Sequence, residues 1–182
     1  MAYTTWDEVA GDGFKDIFLR IKKGEKTKVR PLGKPVCFKK YMFSYKGKWR
    51  TAVCLDEDSC PVAKKHNIFP QIRYAINVID RRYNMIKILE SSLKVFQSIE
   101  LFFKKTGKNP GGTDGAHFNL VYEDFGNKSS YSMQFAGPHT LEEDDISLIK
   151  VQGLHPLKEI YKAVDPSRIE SILFKDIEGW KA

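Results

Sequence analysis

The chain has 182 residues, 42% of them apolar, enough to bury a full core and to argue against general disorder. Its formal net charge of +7 at pH 7 points to a polyanion as partner. Three cysteines, an odd count, argue against a secreted disulfide framework, and no run approaches the length of a membrane span.

Met1 to Gly13 is polar and acidic with no apolar centre, so no secretory leader is expected. Residues 1–13 read instead as a helical arm, with Thr5-Trp6-Asp7-Glu8 as its capping box. Ile17, Leu19 and Ile21 alternate through Asp16–Lys22, which predicts a strand. Lys23-Gly24-Glu25 turns and Lys26–Leu32 returns, with Pro31 marking an edge or an end. A hairpin from Phe38 to Val53 turns at Lys46-Gly47, and a cysteine-containing insert over 54–70 includes a helix started by Pro61. Arg73–Ile79 is a strand, Asp80–Asn84 a turn and Met85–Leu89 the return. Ser91–Lys105 has the helical period, with Leu93, Phe96, Ile99 or Glu100, and Phe103 on its expected inner face. After a Gly/Pro-rich loop, Thr106–Ala116, a last hairpin pairs His117–Tyr122 with Ser130–Phe135. Residues 138–182 carry helical segments near Leu141–Val151, Leu157–Val164 and Ser167–Phe174. The expected fold is mainly β with helices, a five-stranded barrel of the oligonucleotide-binding (OB) type over 14–137 plus a C-terminal helical segment. An α+β sandwich of the same elements is the alternative.

Charge is not spread evenly. Between Arg20 and His66 fourteen Lys/Arg stand against Glu25, Asp56, Glu57 and Asp58, a local excess of ten. The stretch CFKKYMFSYKGKWRTAVC within it interleaves cations with aromatic rings. Rings stack on exposed bases whatever their identity, and cations follow phosphates, so this composition suits single-stranded nucleic acid. The ring candidates are Tyr41, Phe43, Tyr45 and Trp49, with Tyr74, Tyr122 and Tyr131 on other strands. The phosphate candidates are Lys39, Lys40, Lys46, Lys48, Arg50, Lys64, Lys65, Arg73, Arg81 and Arg82. Arg30 is expected to pair internally.

The order KVRPL, KGKWRTAVC, DSCPV, RYAINVID, IKILESSLKVFQSI and HFNLVYEDFGNKSSYSM resembles the single-stranded DNA-binding proteins of tailed bacteriophages, the gene 32 protein type. The resemblance covers roughly Phe14 to Phe135. It implies an OB fold that coats single strands without catalysis during replication, recombination and repair, in the cytoplasm of a host cell. It also implies self-association along DNA and contact with replication or recombination proteins. The end FKDIEGWKA is only mildly acidic, unlike the acidic tail that such proteins use for that recruitment.

Members of that family hold a zinc ion with a His on the basic strand, a Cys closing the hairpin and a Cys-x-x-Cys. Cys54 and Cys60 match two of these positions, while Tyr41 and Ala63 stand in the other two. Cys37, Cys54, Cys60 and His66 are the remaining candidate set for a structural zinc, without any Cys-x-x-Cys spacing. No cofactor is otherwise required. The run Glu142-Glu143-Asp144-Asp145 invites a metal-dependent nuclease, but the preference of a helix N-terminus for acids explains it. Single-stranded RNA is the alternative ligand, since stacking and phosphate contacts serve both sugars.

Overall fold

A computed structural model describes residues 17–45, 48–54, 60–124 and 129–174. The fold is mainly β. Six strands are β1 (Lys26–Tyr45), β2 (Lys48–Cys54), β3 (Gln71–Asp80), β4 (Met85–Ser91), β5 (Asp114–Asp124) and β6 (Ser129–Thr140). The helices are α1 (Pro61–His66), α2 (Leu93–Thr106), α3 (Glu143–Gln152), α4 (Leu157–Ile160) and α5 (Pro166–Phe174). No described helix is long and apolar enough to cross a membrane.

The chain divides into two compact units. The described part of the first comprises 37–45, 48–54, 60–73 and 158–174, and that of the second comprises 17–36, 74–124 and 129–157. Strand β1 passes from the second unit into the first. This corrects the expected hairpin at its start, because the described residues 17–22 of that stretch do not form a strand. Within it Phe18 makes a single parallel bridge to Ile88, and Leu19 and Ile21 still turn into the core. Pro31 does not end β1 either. Pro31 and Pro35 fall between the stretch laddered to β5, Lys26–Val29, and the stretch laddered to β2, Lys39–Tyr45. Neither of those two ladders therefore asks for the N–H that a proline lacks.

In the second unit the strand order is β4-β3-β1-β5-β6. The β3–β4 and β5–β6 hairpins are antiparallel, as is the β1–β5 pair. Among the described residues no ladder joins β4 to β6, so the sheet is open, where a closed five-stranded barrel was expected. The core gathers Val29, Ile76, Val78, Leu89, Phe118 and Leu120 under α2. That helix buries Val95, Phe96, Ile99 and Phe102, so its inner face is rotated from the expected one; Leu93 and Phe103 are exposed. Gly107 ends it in the left-handed region (φ 69°), its N–H returning to the Phe103 carbonyl at 2.8 Å.

In the first unit Tyr41 pairs with Ala52 across the β1–β2 ladder. Both join Cys54, Cys60, Val62 and the apolar side of α5, formed by Ile169, Ile172, Leu173 and Phe174. Phe38 stacks on Tyr161 with centroids 4.1 Å apart, and the Val164 N–H donates to Val53. Residues 158–174 thus contribute to the core of this unit, while α3 belongs to the second.

Candidate nucleic-acid interface

The β1–β2 hairpin is present as the sequence predicted. Tyr45 lies opposite Lys48, with two residues between them. Lys46 lies outside the described residues, as do the side chains of Phe43, Tyr45 and Lys48. Alternation along β2 sends Ala52 and Cys54 inward on one side and Trp49 outward on the other. Trp49 is 63% exposed, too exposed to be a core residue. Arg50, on the Ala52 face of the strand, is half-buried, and its Nε has no hydrogen-bond partner among the described residues. A shielded, unused donor is costly to keep unless an acceptor arrives.

The other candidates separate sharply. Tyr41 is fully buried, so its ring is core and offers no stacking surface. Burial first, then the adjacent Cys60 thiol, raises the pKa of its hydroxyl. Lys40 is buried too, and Lys39 is half-buried. On α1 Lys64 is exposed, whereas Lys65 donates to Glu170 at 3.2 Å. Arg73 is half-buried on β3. In the second unit Tyr74 packs on Phe96 at 5.5 Å, and Tyr122 and Tyr131 pair at 4.9 Å against the core. None of these three is a free platform.

Arg81 and Arg82 are engaged internally. Arg81 donates to both carboxylate oxygens of Asp145, at 2.5 and 3.0 Å, and through Nε to His117 at 3.0 Å. Burial works against ionised Asp145, yet Arg81 holds its carboxyl below the usual range. Arg82 donates to Asp80 at 2.7 Å. Burial likewise opposes ionised Asp80, and bonds from Arg82 and Thr27 hold its pKa down. Arg30 is fully buried: it donates to the carbonyls of Pro31, Pro110, Gly112 and Thr113 and to His139 Nδ1. A side chain at Gly115 would overlap the Pro110 carbonyl and that guanidinium. Burial lowers the Arg30 pKa to about 10, so the residue stays charged at neutral pH.

The four zinc candidates do not form one site. Cys37 is exposed, while Cys54 and Cys60, neither in a disulfide, lie in the core beside Tyr41. His66 packs on Phe174 at 4.4 Å and faces Glu170 at 3.7 Å. Among the described residues no three His, Cys, Asp or Glu gather as a metal ion needs. The acidic run begins α3, with Glu142 and Asp145 closing a capping box, as its sequence suggested.

Of the exposed rings that the sequence reading does not name as ring candidates, Phe69 and Tyr83 are the most exposed. Phe69 is 60% exposed in the first unit, next to exposed Ile72. Its signal was the following Pro70, which keeps the preceding residue extended. Tyr83 is 67% exposed on the β3–β4 turn of the second unit. These features define a mainly β chain with an aromatic, cationic hairpin. Comparison with known proteins finds no matching family model and no matching curated protein.

Proposed function

We propose that this protein binds single-stranded DNA with little sequence preference and protects it during replication, recombination and repair, without catalysis. The observation that carries this reading is Trp49, 63% exposed on a hairpin whose sequence carries Lys39, Lys40, Lys46, Lys48 and Arg50. The residues from Cys37 to Arg73 include eight Lys/Arg against three Asp/Glu, which supports a local field that attracts phosphates. The resemblance to the phage single-strand binders favours the same ligand. It also favours an OB-type ancestry for the sheet, whose hairpins and late helix follow that element order. The nuclease reading gains nothing from Asp145, which is committed to Arg81.

The test is fluorescence quenching by oligo-dT in a Trp6→Phe/Trp180→Phe background, where Trp49 is the remaining indole. Base stacking predicts a quench, and Trp49→Ala should weaken binding by roughly 1–3 kcal/mol with little change in thermal stability. A Trp49→Ala protein that binds oligo-dT as tightly as the parent would remove this hairpin from the interface.

A further inference from the structure

We propose that the β3–β4 turn is a second base-stacking platform for single-stranded nucleic acid, with Tyr83 as its ring; this rests on the reading just given. The turn is unusually well fixed for an exposed loop. Asp80, 1% exposed, accepts from Thr27 at 2.6 Å and from the Arg82 N–H at 3.1 Å. The Tyr83 N–H returns to the Asp80 carbonyl, and Asn84 closes the turn in the left-handed region (φ 48°). Arg82 then braces the ring from the side, its guanidinium carbon 5.2 Å from the Tyr83 centroid. That guanidinium is itself held by Asp80, by Glu25 at 3.4 Å and by the Arg20 carbonyl at 3.1 Å.

A tyrosine left 67% exposed adds little to the core, yet here it is held in place by buried and half-buried groups. Such ordering lowers the entropy lost when a base stacks on the ring. The charges nearby have the sign a phosphate needs. Lys22, Lys26 and Lys28 are exposed, and the Lys28 carbonyl accepts the Arg81 N–H at the start of the turn. The acidic groups among them are already committed to Arg82, Asp80 from its buried position and Glu25 from the surface. Arg82 is therefore a positioning residue, not a phosphate contact.

The experiment is anisotropy of labelled oligo-dT with the full chain. Tyr83→Ala should raise Kd roughly 5- to 150-fold, whereas Tyr83→Phe, which keeps the ring, should bind as the parent does. Lys22→Ala/Lys26→Ala should flatten the log–log salt dependence by about 1.4, at about 0.7 per phosphate contact. A folded Tyr83→Ala protein with unchanged Kd overturns the proposal. If Tyr83→Ala does not fold, the lysine pair decides, and an unchanged salt slope overturns it. Trp49→Ala runs in parallel: a response there with none at Tyr83 removes only this platform. A parent chain that binds no oligo-dT removes both readings.

Discussion

Lowering the pH from 7.5 to 4 should weaken the second unit through one pair of rings. His117 and His139 lie on the paired strands β5 and β6, with centroids 3.9 Å apart. Arg81 donates to His117 Nε2 and Arg30 to His139 Nδ1, so each ring must keep an unprotonated nitrogen to accept. Burial, then His139, Arg81, Lys28 and Arg30, pushes the His117 pKa from 6.5 down to about 4. Burial and then Arg81 lower that of His139, against the opposing pull of Asp145 and Glu142. Because the unfolded chain takes up these protons first, the stabilisation is complete above about pH 6.5. It falls as pH drops toward 4 and is flat for His117 below that. At about 1.4 kcal/mol per tenfold change in proton affinity, the His117 displacement sets an upper bound of about 3 kcal/mol. The ring is only partly buried, and screening reduces this to about 2 kcal/mol. Urea denaturation across that pH range measures it, with His117→Gln as the reference that keeps an acceptor and does not titrate. The parent should lose about 2 kcal/mol more than His117→Gln between pH 6.5 and 4. Parallel pH profiles for the two proteins would refute the reasoning.

Replacing Arg30 with Met strips four backbone carbonyls of their donor and should cost roughly 2–4 kcal/mol in urea denaturation; a neutral result would mean the 110–113 loop is not held by it. Leu173→Ala, at a fully buried site, should destabilise the first unit by about 2–5 kcal/mol, and an unchanged melt would detach α5 from that core. Elemental analysis of protein purified without chelator should return no stoichiometric zinc. One equivalent, lost together with folding on Cys54→Ser, would contradict the separate placement of Cys37, Cys54, Cys60 and His66.

Hairpins and the long helix could be read from the sequence because their signals are local. Alternation in Arg73–Ile79, the turn before Met85 and the period of Ser91–Lys105 each depend on neighbours a few positions away. The face of an element is a different matter. Tyr41 follows Lys39 and Lys40 as an exposed ring would, but the partner that covers it is α5, more than a hundred residues later. Arg81 reads as a phosphate contact for the same reason, since Asp145 stands 64 positions beyond it. Two prolines hid the length of β1, because sequence cannot show that the strand changes ladder partners where they stand. Tyr83 was passed over as an ordinary turn residue, and only the Arg82–Asp80–Thr27 contacts beneath it mark it out.

The central claim is that a single strand is the ligand. Parallel titrations with oligo-dT, oligo-rU and duplex DNA over a range of salt test it most directly. Binding should be tightest to oligo-dT and weakest to duplex, with a log–log salt slope of roughly −3 to −4 for four to six phosphate contacts. Equal or tighter binding to duplex, or a slope near zero, would contradict it.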